Sequence, residues 1–523
     1  MASEQRDPRP GGDDARAERL LEEYGSPLYV YDVGRVREAY RDLTAALPEN
    51  SRLYYSLKAN PHPGLVAELT RAGARAEITS RGELAAALEA GCPGDELLYS
   101  GPGKTPGELD EAVRLGVRSY STESFGDLER VGAAGVAHGV TLDCVLRINA
   151  AGAPGEAGLR MTGSASQFGF DLDVLTDAPH RLKTEGVRIV GLHFFPLTNA
   201  RDEKGLCAEI IQSARTAAEL RDLLGIELRL VDLGGGFAAP YAVPGDRPRY
   251  PGLRAAVSEA LDEFLPGWRE GAPQVAFESG RHLVGDSGTL LTTVTDVKDS
   301  RGSRFAVLDS GINHLGGLSG LGRLLPMKAR PLHTGQDAAT ERVTLAGPLC
   351  TPADLLGRGV ELAGVRSGAV LAFPNVGAYG LSASLLGFLG HRAPAEVLVD
   401  GDEVVSATRL ALHRQQIPAV TRPSPATTEN GSEGADMSEQ WDEAFEGLLK
   451  EILPRLAERG EVGPDISLKA VGLDSLAMVE VVISIENTYG ISIPDEELEP
   501  EVFTSPATLW AVVDGLRERQ ALA

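Results

Sequence analysis

Basic charge is scarce in this chain of 523 residues, where 50 Lys and Arg stand against 75 Asp and Glu for a formal net charge of −25. Nucleic acids and anionic membrane surfaces are gripped by clustered Lys and Arg, so neither is an expected partner. Long apolar runs are missing as well: none reaches the roughly 20 residues that a helix needs to span a bilayer. Cysteine occurs four times, at Cys92, Cys144, Cys207 and Cys350. The spacing matches neither a metal site nor a disulfide framework, and no metal is expected. The opening MASEQRDPRPGGDDAR has no apolar core of the secretory kind. A reducing, cytoplasmic setting is the expectation from these absences.

What is present is length enough for two or three domains and a repeated rhythm. Eight short runs rich in β-branched or aromatic residues, LYYSLKA, ARAEITS, ELLYSGPG, VRSYSTES, LDCVLRIN, RIVGLHFF, LRLVDLGGG and QVAFESG, are separated by amphipathic helical stretches such as PGLVAELTRAG and RGELAAALEAG. Eight βα units followed by a change of pattern predict an α/β fold, a closed (β/α)8 TIM barrel over residues 33–280. After Gly280 come GTLLTTVTDVKDS, RFAVLDSGI, VTLAGPLC, GAVLAFPNVGAYG and AEVLVDGDEVVSATR without helices of comparable length, which predicts an all-β domain over 281–414. Residues 17–32, with the further strand PLYVYD, are assigned to the same domain, and residues 1–16 to a disordered N-terminus. Residues 415–439 are too poor in apolar side chains to pack and predict a flexible linker. Residues 440–523 alternate helical patterns with turns, as in a small all-α, four-helix domain.

Reactive groups of such a barrel collect at the C-terminal ends of its strands. Lys58 ends the first run and His193 the sixth; Gly234, Gly235 and Gly236 end the seventh and Glu278 the eighth. A lysine can capture an aldehyde, glycines let backbone N–H groups approach a phosphate, and a carboxylate keeps a pyridinium nitrogen protonated. Alone, such a lysine is as well a solvated side chain and GGG an ordinary turn. Their convergence on one rim points to a ring-bearing phosphate cofactor.

The motifs YSLKANP, ITSRGEL, SQFGFD, VDLGGGF, FESGRHLVGDSG, AGPLCTPADLL and GAYGLSASLLGFLGHRAPAEVLVDG, in that order, resemble the fold-type III pyridoxal-phosphate decarboxylases. This is the family of diaminopimelate and ornithine decarboxylases, and the resemblance spans residues 20–415. It implies an alanine-racemase-like β domain after the barrel and pyridoxal 5′-phosphate as cofactor. By the same resemblance Lys58 is the Schiff-base lysine, Glu278 the partner of the pyridine nitrogen, and Gly235, Gly236 and Tyr379 phosphate contacts. Arg281 is placed near the phosphate or the substrate carboxylate, and Ser80, His193 and Gly280 are further cofactor-binding residues. Cys350 matches the cysteine that the neighbouring subunit contributes as proton donor, which implies a homodimer. Read without the resemblance, Cys350 is a small buried apolar residue and His193 a satisfied structural histidine.

Two places depart from the family. The glutamate that commonly follows the cysteine is replaced by Thr351 or Pro352, and the sixth-strand pattern H-x-H-[IV]-G-S reads His193, Phe194, Phe195, Pro196, Leu197, Thr198. Phe195 then stands where an imidazole would stack on the ring. The segments DSGINHLGGLSGLGRLLP and SASLLGFLGHRAPAEVLV resemble most the subgroup that decarboxylates aminoacyl groups attached to carrier proteins. The tail fits: VGLDSLAMVEVV carries the G-x-D-S-[LI] signature of phosphopantetheine carriers, with Gly472, Asp474, Ser475 and Leu476. A serine at a helix start also suits an ordinary N-cap, yet the positive helix end favours the phosphodiester of a 4′-phosphopantetheine arm. Residues 437–523 hold eighteen acidic and six basic side chains, a net −12, a surface suited to basic partners.

The reading is therefore a decarboxylase fused to its own carrier, acting on an aspartyl- or glutamyl-type thioester in natural-product assembly. Expected partners are a phosphopantetheinyl transferase, an amino-acid-adenylating enzyme and a downstream acyltransferase or synthase. Alternatives are a decarboxylase of a free amino acid of the diaminopimelate, lysine or ornithine type, a catalytically degenerate barrel serving as carrier-docking scaffold, and a racemase.

Overall fold

The computed structural model describes residues 14–150, 159–160, 165–200, 202–316, 328–332 and 340–415, and in the tail 441–453, 456, 462–473, 481, 484–485, 488–489, 491 and 502–521. Residues 1–13, the linker beyond its first residue, and Ser475 lie outside the described residues. The chain divides into two compact units, 1–415 and 416–523. Among the described residues no helix is long and apolar enough to cross a membrane.

The first strand, β1 (Leu28–Asp32), precedes the barrel. The barrel itself is closed by eight parallel strands: β2 (Arg52–Ser56), β3 (Arg75–Ile78), β4 (Leu97–Tyr99), β5 (Ser119–Thr122), β6 (Leu142–Arg147), β7 (Val187–His193), β8 (Leu230–Asp232) and β9 (Gln274–Ser279). All eight predicted runs are strands, and the ring closes where β9 pairs with β2, Ala276 opposite Arg52 through Ser279 opposite Tyr55. Strand alternation explains the two-sided burial. Tyr54, Leu98, Val145, Val190, Leu230 and Ala276 fill the interior, whereas Leu53 and Tyr55 face outward into the larger core shared with the helices. Ser80, Thr105 and Ser124 cap the helices Arg81–Glu89, Pro106–Arg114 and Phe125–Ala137 by accepting first-turn amides.

The second sheet contains β10 (Gly288–Ser300), β11 (Ser303–Leu308), β12 (Thr340–Ala346), β13 (Leu355–Ala363), β14 (Val370–Pro374), β15 (Ala395–Asp400) and β16 (Glu403–Arg409). Its order is β13-β12-β11-β10-β1-β15-β16, with β14 also on β10. β1 is antiparallel to β10 and parallel to β15, so the chain lays down one strand of this sheet before it builds the barrel. Residues 14–16, expected to lack structure, begin the helix Asp14–Tyr24. That helix forms because Ala17, Leu20, Leu21 and Tyr24 recur at helical spacing and pack against Leu28, Leu291 and Val397. In the tail unit Phe445, Leu449, Leu468, Val513 and others form a separate core, and the Phe445 and Trp510 rings lie 4.9 Å apart.

The second sheet buries a carboxyl group. Glu396 on β15 is 6% exposed and accepts the Tyr31 hydroxyl at 3.0 Å. Burial pushes its carboxyl from 4.5 up to about 7, the Tyr31 bond opposing the rise. With the folded pKa above the unfolded value, the folded chain binds the extra proton between these limits. Stability therefore falls as pH climbs through that window and is level above it. Glu396→Gln is expected to remove this slope, worth at most about 3 kcal/mol, in urea titrations at pH 5 and pH 7.5.

Candidate active site

The rim of the barrel is assembled from strand ends. Lys58 lies in the single helical turn Leu57–Ala59 directly after β2, its side chain 37% exposed and its Nζ 3.7 Å from Glu77 Oε2. The same Nζ stands 5.0 Å over the Phe195 ring. Burial works against the ammonium, but Glu77 and Glu278 outweigh it and hold the Lys58 pKa above the ordinary lysine value. Glu77 is on β3 and buried. Arg147 at the end of β6 is buried too, paired with Glu123 at 3.1 Å and 5.9 Å from the Phe195 ring centroid.

Across the rim three neighbouring strands each end on a buried polar group: His193 on β7, Asp232 on β8 and Glu278 on β9, at 1%, 0% and 1% exposure. His193 Nε2 is 3.3 Å from Glu278 Oε1, and its Nδ1 is 2.7 Å from the Ser121 hydroxyl. Burial, then Arg147, Lys58 and Lys104, drive the imidazole pKa well below its usual value, so the ring is neutral. Burial likewise raises Glu278 well above the carboxylate range, with Glu77 and Asp232 adding to it.

The glycines follow from crowding. A Cβ on Gly235 would meet the Glu278 carbonyl oxygen at 2.1 Å, and one on Gly236, at φ +101°, would meet Leu197 Cδ1 at 2.6 Å. Gly280 has Ala59 Cβ 2.7 Å from where its own would stand. Tyr379 adopts φ +54°, donates its N–H to Ala59 O at 2.7 Å and lies under the Arg281 guanidinium, 4.8 Å away. A cleft of about 320 Å3, open to solvent, is lined by Lys58, Phe195, Thr198, Gly236, Glu278, Gly280, Arg281 and Tyr379 among others.

Most expected site residues therefore meet here: Lys58, Gly236, Glu278, Gly280, Arg281 and Tyr379 line the cleft, with His193 behind Glu278 and Gly235 packed on its backbone. Ser80 is not part of the cleft lining; its side chain accepts the Glu83 N–H at 3.2 Å as a helix cap. Cys350 is exposed on the turn between β12 and β13, outside the cleft lining, which removes the buried-apolar reading of that residue. Its turn is fixed by Asp354, whose carboxylate accepts the N–H groups of Ile312 and Leu349, each at 2.8 Å. Reading the sequence alone missed Glu77, Arg147, Asp232 and Ser121. The available signal was charge at the inner end of apolar strands, in ARAEITS, LDCVLRIN and LRLVDLGGG.

An amine at the mouth of a closed barrel, a buried carboxyl opposite it and a glycine turn with no room for side chains define an enzyme that works through a carbonyl cofactor. Residues 33–285 match the family described as pyridoxal-dependent decarboxylase, pyridoxal binding domain, and residues 443–509 match the phosphopantetheine attachment site. The chain is 31% identical over 396 residues to the L-glutamyl-(BtrI acyl-carrier protein) decarboxylase of Niallia circulans, covering 74% of this chain and 91% of that relative. It is also 31% identical to the diaminopimelate decarboxylase of Methanothermobacter thermautotrophicus, covering 74% and 89%. Of solved structures, AQ1208 from Aquifex aeolicus superposes with a TM-score of 0.64 at 27% identity, covering 74% of this chain and 89% of that one. The chain belongs to the fold-type III pyridoxal-phosphate-dependent decarboxylases and is an amino acid decarboxylase with a fused phosphopantetheine carrier region. A carrier region of this kind requires a phosphopantetheinyl transferase to load it.

The residues fit pyridoxal phosphate. Glu278 Oε1 is a buried atom without a hydrogen-bond partner, a place that the nitrogen of the ring would fill. Gly235 and Gly236 leave the backbone bare where a phosphate needs close approach.

Proposed function

We propose that the barrel decarboxylates an acidic aminoacyl thioester, aspartyl- or glutamyl-like, carried by a phosphopantetheine arm on Ser475 of the chain's own tail. The product is a β- or γ-aminoacyl thioester, taken on by an acyltransferase or synthase in natural-product assembly. The observation that carries this reading is the joining of a decarboxylase and a carrier region in one chain. The thioester occupies the side-chain carboxyl, leaving the α-amino and α-carboxyl groups for the barrel. Thr351 or Pro352, where the family commonly has a glutamate reader, is consistent with an arm in place of a free distal ammonium. An amino-acid-adenylating enzyme supplies the acyl group, and the reducing cytoplasm suits four free cysteines.

Bound to Lys58, pyridoxal phosphate supplies the electron sink for the pair left behind when the α-carboxylate departs as carbon dioxide. Glu278 faces the ring nitrogen. Gly235, Gly236, Gly280 and Tyr379 hold the phosphate, and Arg281, stacked on Tyr379, sits beside it or beside the substrate carboxylate. Phe195, whose ring centroid is 5.0 Å from Lys58 Nζ, would cover one face of the ring. Cys350 of the partner subunit gives its thiol proton to the α-carbon, which makes the working enzyme a homodimer. The exposure of Cys350 in the single chain supports a role in trans. Cys350→Ala is expected to lower kcat about a hundredfold or more with little change in KM, measured by carbon dioxide release.

The deciding experiment is intact-protein mass spectrometry after phosphopantetheinylation, aminoacyl loading and incubation. Loss of the mass of carbon dioxide from the Ser475 adduct is the expected result. A second reading, decarboxylation of a free amino acid, has the 31% identity to diaminopimelate decarboxylases in its favour. Turnover of free amino acids as fast as that of the loaded carrier would replace the first reading with this one.

A further inference from the structure

Three buried atoms, one of them on Glu278 in the cleft lining, share one defect. His193 Nε2, Asp232 Oδ2 and Glu278 Oε1 all lack a hydrogen-bond partner, and a ligand atom from each lies within 4.8 Å of the others. A cofactor ring nitrogen can answer one of them. Two buried polar atoms left over would cost about 1–3 kcal/mol each, so they need a partner within the cluster.

Charge is short there as well. Lys58 is paired with Glu77 at 3.7 Å, Arg147 with Glu123 at 3.1 Å and Lys104 with Asp127 at 2.8 Å. These are the cations that reach the cluster from the ends of β2 and β6 and from the loop after β4, and each already has its own carboxylate. A single cationic ring nitrogen can balance one more carboxylate and not two.

We infer that Asp232 is a neutral carboxylic acid in the cofactor-loaded enzyme and acts as the positioning residue for Glu278: its Oδ2–H and the Nε2–H of His193 hold Glu278 as the carboxylate presented to the ring. This rests on the reading of Glu278 as ring partner. The two protons have places to come from. With the Ser121 hydroxyl, 2.7 Å from Nδ1, acting as donor, the proton of the neutral imidazole is on Nε2, the tautomer this inference requires. Asp232 Oδ1 already accepts the Gly234 N–H at 2.9 Å, so Oδ2 is the free oxygen and the one that carries hydrogen. Burial lifts Asp232 to about 7 and raises Glu278 well above the ordinary carboxylate value, with Glu77 adding to both, so the pair keeps a proton at neutral pH. Positive charge beside Glu278 places that proton on Asp232.

Infrared spectroscopy of the loaded, full-length protein tests this without turnover. The difference between parent and Asp232→Asn at pH 7 is expected to show the carbonyl stretch of a protonated carboxylic acid, shifted in heavy water; only carboxylate bands in that difference would overturn the inference. Cofactor affinity gives an independent arm. Asp232→Asn keeps a donor and is expected to bind within about threefold of the parent, whereas Asp232→Ala loses a hydrogen bond to a charged group and weakens binding about 10–100-fold. Equal affinity in the Ala variant, with an unchanged melting curve, would also overturn it. Unaltered affinity in Glu278→Gln would instead remove the reading of Glu278 itself, whatever the infrared result.

Discussion

Lys58→Ala leaves the protein colourless in the presence of pyridoxal phosphate and lowers decarboxylation at least about a thousandfold, a loss of about 4 kcal/mol of transition-state stabilisation. The size follows from position: among the described residues Lys58 is the lysine lining the cleft, so no neighbour there can replace it. An added amine such as methylamine is expected to recover part of the rate, because the defect is a missing nitrogen rather than a missing fold. Retention of the visible band in the variant would disprove the assignment. The electrostatics give a second arm. Glu77 and Glu278 hold the ammonium protonated, and only the neutral amine attacks an aldehyde. Cofactor capture by the parent therefore speeds up as pH rises. Glu77→Gln removes a carboxylate 3.7 Å from Nζ, lowers the lysine pKa and speeds capture at neutral pH. A slower capture in that variant would mean that Glu77 orients Lys58 more than it charges it.

Ser475→Ala is expected to abolish the mass gain on phosphopantetheinylation and to bring turnover of tail-borne substrate to background, while the cofactor band is untouched. Tethering on a short linker gives an effective concentration on the order of millimolar. Turnover of the loaded parent is accordingly expected to be independent of protein dilution. Full activity of Ser475→Ala with a separately loaded parent tail, at micromolar concentration, would show that delivery is in trans. A rate that survives with free amino acids alone would favour the diaminopimelate-like reading.

The barrel was legible because its signal is local. Eight apolar runs separated by capped helices specify βα units whichever way the chain later closes, and Lys58, Gly236 and Glu278 were found because they sit at run ends. The carrier tail was legible for the same reason, as VGLDSL is contiguous. Ser80 accepts the Glu83 N–H as a helix cap, and a cap serine next to a barrel rim looks the same in sequence as a ligand contact. Glu77, Arg147 and Asp232 were passed over as charges inside strands, since nothing along the chain says which strand ends face one another.

By itself the sequence determined the period of its elements, the order of its domains and the kind of chemistry its residues can perform, because each depends on neighbours within a turn or a strand. Tertiary structure alone decided where β1 enters that sheet, antiparallel to β10 and parallel to β15. It alone set Glu77 against Lys58 and brought His193, Asp232 and Glu278 into one water-poor pocket. Charge state is a property of that pocket: burial and neighbouring charge, which no linear spacing encodes, decide which carboxyl keeps its proton.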